Sequence, residues 1–167
     1  MTNNHKAPAC LVLILLMASL TSGYSLFQGD PEVESLIKSV KHLEEHPLDK
    51  DAKEMRRKAL VWVIQTDKVS VTMCSLLLSG LDKKYKYGDV VGQYTIAMAA
   101  FKLANPDKAN DDNAVQQAGI DSALLAYESM VKQEPKARNA FLDGVITRRT
   151  DGSLAQYVVE NNCRNKQ

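Results

Sequence analysis

The 167-residue chain contains only 3 Cys, 3 His, 1 Trp and 3 Phe, and aromatic residues make up 6% of it. So few thiols and imidazoles leave little material for thiol or metal chemistry. No P-loop, G-x-G-x-x-G, G-x-S-x-G or C-x-x-C occurs, which removes the phosphate cradle, the nucleophile elbow and the dithiol redox pair. There is no N-x-S/T glycosylation acceptor. Neither sign of charge dominates, with 21 Lys+Arg against 20 Asp+Glu and a formal net charge of +1. A dedicated nucleic-acid binder needs a clear cationic excess, so that class is excluded. Hydrophobic residues at 45% and charged residues at 25% also exclude intrinsic disorder and fit a chain that buries one core.

A membrane-spanning run is missing too. The apolar stretch from Cys10 to Leu20 has 11 residues; as a helix it would cover about 16 Å of a ~30 Å hydrocarbon layer. A short basic region before it and the small residues Thr21, Ser22 and Gly23 after it describe a secretory signal peptide over residues 1–23, with cleavage after Ser25 as the alternative. The expected location is periplasmic or extracellular, with no stable membrane span after cleavage. Residues 24–167 are then one domain. Lys6 is the one charged residue before Tyr24, so the mature chain carries 20 basic and 20 acidic residues, and long-range steering of a charged partner is not expected.

Cysteine usage agrees with export. Cys10 leaves with the signal, and Cys74 and Cys163 remain as a pair, which in an oxidising compartment most simply forms one disulfide. Closing a loop of about 90 residues stabilises by ~4–5 kcal/mol on the chain-entropy account.

What the mature sequence does contain is helical periodicity. Asp30-Pro31-Glu32 is a helix start, and Val33, Leu36, Ile37, Val40 and Leu43 follow on one face up to Pro47. A second helix is expected to open at Leu48-Asp49, with Ala52, Met55, Ala59, Trp62 and Val63 inward and Arg56-Arg57-Lys58 outward. A third runs from about Thr72 to Gly80 and carries Cys74. Residues 90–104 are apolar on nearly every side, the mark of a central helix. Beyond Asn105-Pro106, Asp111 or Asp112 caps a long helix to about Gln133. Another helix is expected from Pro135 to Thr150, with Phe141 inward, and a last one after Ser153 up to Cys163. The fold class is therefore all-α: one domain of about six or seven helices, packed as irregular antiparallel hairpins around the helix at 90–104, with Trp62, Phe101 and Phe141 in the core.

Three local patterns bear on function. His42-Leu43-Glu44-Glu45-His46 matches H-x-x-E-H, in which two histidines one turn apart hold zinc and the glutamate acts as base. Pro47 biases His46 away from helix, which works against that geometry, so solvated helix-end histidines are the plainer reading. Lys83-Lys84-Tyr85-Lys86-Tyr87 interleaves cations with rings, a pattern that can track an anionic polymer and stack on sugars or bases. The plainer reading there is a polar turn whose tyrosines pack back on the helices. Asp107, Asp111 and Asp112 begin like a calcium loop, but lack its glycine and its closing acid, which leaves them as helix caps.

Ala123, Tyr127, Met130 and Pro135 stand at the spacing of the second helix of a tetratricopeptide repeat. The first-helix positions fall on Asp107, Asn110, Asp111 and Ala114, which do not match, so the resemblance implies helix-hairpin packing alone. The functional expectation is a non-enzymatic binding or interaction module that needs no cofactor and meets a protein or ligand in the exported compartment, with an immunity or inhibitor protein as one version. The competing expectation is a metal-dependent hydrolase using His42, Glu45 and His46.

Overall fold

The computed structural model describes residues 29–81, 84–87 and 89–166. The expected signal peptide at residues 1–23, and Lys83 of the basic loop, lie outside the described residues. Six α-helices follow in order: α1 Pro31–Glu45, α2 Ala52–Gln65, α3 Val90–Ala104, α4 Asp112–Gln133, α5 Ala140–Thr150 and α6 Leu154–Asn161. No strand occurs among the described residues. The expected all-α class is the one observed, and α3 is its centre.

Helix α3 separates two hydrophobic clusters. Its Ile96, Ala97, Ala99 and Ala100 pack with Leu36, Val40, Leu43, Ala59 and Val63 of the α1–α2 hairpin. Its Val90, Tyr94 and Met98 pack with α4, α5 and α6 through residues such as Ile120, Leu124, Tyr127, Leu142 and Val158. Helix α4 forms the most extensive contact with α3, and the two approach closely at Gly119 of α4. A β-carbon there would lie 2.6 Å from the Tyr94 ring and 2.7 Å from Met98 Cγ.

The caps are local and mostly as the sequence implies. Asp30 accepts from the Glu32 N–H, Asp89 from the Gly92 N–H and Asp111 from the Ala114 N–H, each filling a donor that the first helical turn leaves open. Asp111 and the neighbouring Asp112, which accepts from Asn162 at 2.8 Å, are thus structural acids.

Four expectations change. The helix expected at 72–80 is a short 3-10 turn, Ser75–Leu78, preceded by an irregular segment. Backbone groups there find side-chain partners instead of a helical ladder: Lys102 donates to Ser70 O at 2.7 Å, Gln116 to Thr72 O at 2.9 Å, and the Cys74 N–H donates to Tyr94 Oη at 3.3 Å. The helix expected from Pro135 is split into a 3-10 turn, Pro135–Ala137, and α5. Asn139 makes the break, since its side chain accepts from the Phe141 and Leu142 N–H groups and starts a new helix. The second helix opens at Ala52, not Leu48, and leaves 46–51 as a turn.

The fourth change concerns the core. Trp62, Phe101 and Phe141 are only partly buried at the margins of the two clusters, whereas Tyr94 and Tyr127 are sealed at 0% and 1% exposure. A tyrosine can be buried when its hydroxyl finds partners. Tyr94 Oη donates to Gln116, and Tyr127 Oη donates to Asp143 at 2.8 Å. Gln93, also sealed, donates to Val40 O at 3.2 Å and Ser122 Oγ at 3.0 Å.

The disulfide expected between Cys74 and Cys163 is present, with Cα atoms 5.5 Å apart. It ties the segment before α3 to the chain just after α6. The Cys163 N–H points at Cys74 Sγ at 3.0 Å, and Tyr157 of α6 donates to Leu77 O at 2.9 Å, so the same junction is hydrogen-bonded as well as covalent.

Two glycines on helices separate packing from propensity. A β-carbon added to Gly144 of α5 would meet nothing within 4 Å, whereas one added to Gly119 would meet a ring. Gly144→Ala is expected to stabilise by roughly 0.5–1 kcal/mol through helix propensity. Gly119→Ala should cost about 1–3 kcal/mol because overpacking at Tyr94 outweighs that gain. Urea melts of both variants check the opposite signs.

A pH effect follows from Glu44, half-buried against α4. Loss of hydration pushes its carboxyl above the usual glutamate range, with Ser122 hydrogen bonding opposing the shift and Glu45 reinforcing it. For an acid with a raised folded-state pKa, stability is greatest below the unfolded pKa near 4.5 and falls as pH rises through the folded value. Glu44→Gln should therefore melt at a higher temperature than the parent at pH 7, with the difference shrinking toward pH 4 in calorimetric scans.

Candidate functional site

Residues 84–87 lie between the Ser75–Leu78 turn and α3. They are held against the Pro135–Ala137 turn and the start of α5. Tyr85 Oη donates to Ala137 O at 2.7 Å, which fixes the loop from below. Burial raises the Tyr85 phenol to about 12, with Tyr127, Tyr87 and Asp143 adding to the shift, so it stays a neutral donor at physiological pH. The Tyr85 and Tyr87 rings sit 6.0 Å apart, inclined at 56°, and both pack partly against the α4–α6 cluster.

This arrangement creates a depression of about 270 Å³ lined by Lys84, Tyr85, Lys86, Tyr87, Lys136, Arg138 and Asn139. Four cations from two distant chain segments converge on two rings. Arg138 is oriented by Asp143, whose carboxylate it meets at 3.2 Å and whose other oxygen accepts from Tyr127. Lys136 and Arg138 carried no signal in the sequence, because each is an ordinary polar residue until the Pro135–Ala137 turn folds beside the tyrosines. Tyr85 and Tyr87 thus pack back on the fold, the plainer of the two readings of the loop, and the same path leaves Lys84 and Lys86 lining one depression with Lys136.

The H-x-x-E-H segment is reorganised. Helix α1 ends at Glu45, and His46 takes the C-cap position with its N–H donating to His42 O at 2.8 Å. The His42 and His46 rings nevertheless approach to 5.0 Å between centroids. Asp49, in the turn beyond Pro47, places Oδ2 at 4.0 Å from both His42 Nε2 and His46 Nδ1. Asp51 also comes close to His42 and Asp49. Glu45, the base of the sequence pattern, is exposed and is not part of that cluster.

Arg56 departs from the outward face expected of it. It is 4% exposed and packs near Asp89 and Gly92 at the start of α3, where a β-carbon on residue 92 would strike the Asp89 carboxylate at 2.2 Å. Desolvation lowers its pKa and the Asp89 charge opposes that shift. Arg57 remains outside, paired with Glu54 at 2.6 Å.

A groove between α1 and α2, of about 410 Å³, is lined by Leu36, Met55, Ala59 and Trp62 among others. No helix among the described residues is long and apolar enough to cross a membrane.

No family model matches this sequence, and neither a curated protein nor a solved structure matches the chain. Its class rests on the fold: an all-helical domain, closed by a disulfide, with a cationic depression walled by tyrosines.

The Tyr85 anchor has its own check. Tyr85→Phe removes the bond to a fully buried carbonyl and should destabilise the domain by about 1–2 kcal/mol. Amides of residues 84–87 should exchange faster in the variant, as read by hydrogen-exchange mass spectrometry.

Proposed function

We propose that the chain is a non-enzymatic binding module of an exported compartment, and that it takes an anionic partner at the depression formed by residues 84–87 with Lys136 and Arg138. The observation that carries this reading is the convergence of four cations and two rings from separate segments in one concavity. Cations at such a rim attract carboxylate or sulfate groups, and the rings offer flat apolar faces to sugar planes. A chain with so little overall charge excess gains this attraction locally, not from a long-range field. Duplex nucleic acid is a poor fit on that ground, which favours an acidic saccharide chain. Export is supported by the signal-like N-terminus and by the single cysteine pair of the mature chain.

Calorimetric titration of the mature protein with polygalacturonate, and with neutral dextran as the control, tests the reading. Saturable binding of the acidic polymer that weakens with added salt is expected. The double variant Lys86→Glu, Lys136→Glu should bind about ten-fold less tightly or worse. Equal affinity of parent and variant, or dextran binding as well as polygalacturonate, overturns the proposal. Protein recovered after periplasmic expression should be two hydrogens lighter than the dithiol form by non-reducing mass spectrometry; two free thiols would remove the export half of the reading.

A further inference from the structure

The turn between α1 and α2 gathers metal-ligating side chains from a ten-residue stretch without using the base that its sequence pattern supplies. His42, Asp49 and Asp51 each offer one ligand atom, and those atoms all lie within 4.8 Å of one another. His46 Nδ1 reaches the same Asp49 oxygen at 4.0 Å. We propose that His42, Asp49 and Asp51, with His46 as a further ligand, form a divalent transition-metal site, with zinc as the best-fitting ion.

Three features carry it. The first is a spacing too long for hydrogen bonds and suited to a bridging ion. At 4.0 Å, His42 Nε2 and Asp49 Oδ2 are beyond hydrogen-bond reach. An ion about 2.0–2.2 Å from each ligand spans up to roughly 4.2 Å, and a small rotation of the half-exposed Asp49 closes the gap to a tetrahedral edge of about 3.4 Å. The second is that His42 Nε2 is shielded from solvent and has no hydrogen-bond partner. An imidazole nitrogen that faces a carboxylate oxygen at 4.0 Å without bonding to it is a ligand arrangement with room for a cation. The third is donor type: imidazole nitrogen with carboxylate oxygen suits zinc and its neighbours, whereas calcium and magnesium prefer oxygen alone.

The turn explains why the site forms. Pro47 ends helical continuation, Asp49 N–H donates back to His46 O at 3.4 Å, and Ala52 N–H donates to Asp49 O at 3.0 Å. These bonds fold Asp49 and Asp51 under the last turn of α1. A bound ion would close a short loop and lock the α1–α2 hairpin. None of these ligands lines the tyrosine-walled depression, so the inference is independent of the binding reading above.

The experiment titrates zinc into tag-free mature protein with a competing chromophoric chelator, and records the visible absorption of the cobalt form. Parent protein is expected to take up one zinc per chain and to show the intense bands of low-coordinate cobalt. His42→Ala and Asp49→Asn should each weaken zinc about ten-fold or more, with far-UV circular dichroism unchanged. Glu45→Ala should leave affinity as it was, which separates this site from the H-x-x-E-H pattern. No uptake at about 100 µM zinc, affinity unaltered by both His42→Ala and Asp49→Asn, or loss of binding in Glu45→Ala would overturn it.

Discussion

Helix α3 is buried over most of its circumference, with Val91 and Thr95 on its one open face, and the other elements are arranged by that requirement. A helix apolar on all sides cannot lie on a surface, so it needs cover from two directions. The α1–α2 hairpin supplies one and the α4–α6 unit the other, and because each covering unit has its own cluster, α3 is the shared wall between two cores. The close approach of α4 depends on Gly119 facing Tyr94 and Met98. Small residues elsewhere on α3, notably Ala97, Ala99 and Ala100, let the α1–α2 side approach as well.

Enclosing α3 also traps polar groups, and these organise the irregular part of the chain. Tyr94 and Gln116 are buried where α3 meets α4, and they hold the backbone of Thr72 and Cys74 by hydrogen bonds. Unpaired buried polar groups are costly, so each of these contacts selects one path for the segment before the Ser75–Leu78 turn. That path delivers Cys74 to Cys163. The disulfide and the polar network thus act at one junction, where the C-terminal helix meets the middle of the domain.

Both candidate sites lie at helix ends, where the chain reverses and two segments share a small surface. The cationic depression forms because Asn139 starts α5 afresh and leaves Lys136 and Arg138 on a tight turn beside Tyr85 and Tyr87. The histidine cluster forms because α1 stops before Pro47 and the returning turn carries Asp49 and Asp51. In each case only some of the residues formed a recognisable local pattern, Lys84 to Tyr87 in one site and His42 with His46 in the other. The others, Lys136 and Arg138 in one site and Asp49 and Asp51 in the other, read as surface charges or caps, because their role depends on proximity in space.

The sequence alone pointed to the helical class, the central position of residues 90–104, a cap at Asp30 and another at Asp111 or Asp112, and Cys74 with Cys163 as the expected cysteine pair. Periodicity, local capping chemistry and cysteine arithmetic act over a few residues or require no geometry, which is why they were legible. Only the tertiary structure decided that Trp62, Phe101 and Phe141 stay at the margins, since burial of a ring depends on which neighbours can satisfy or exclude it. The same holds for Arg56, drawn inward beside Asp89, and for the replacement of Glu45 by Asp49 and Asp51 around His42. These outcomes follow from long-range packing against α3, and no pattern within a single helix encodes them.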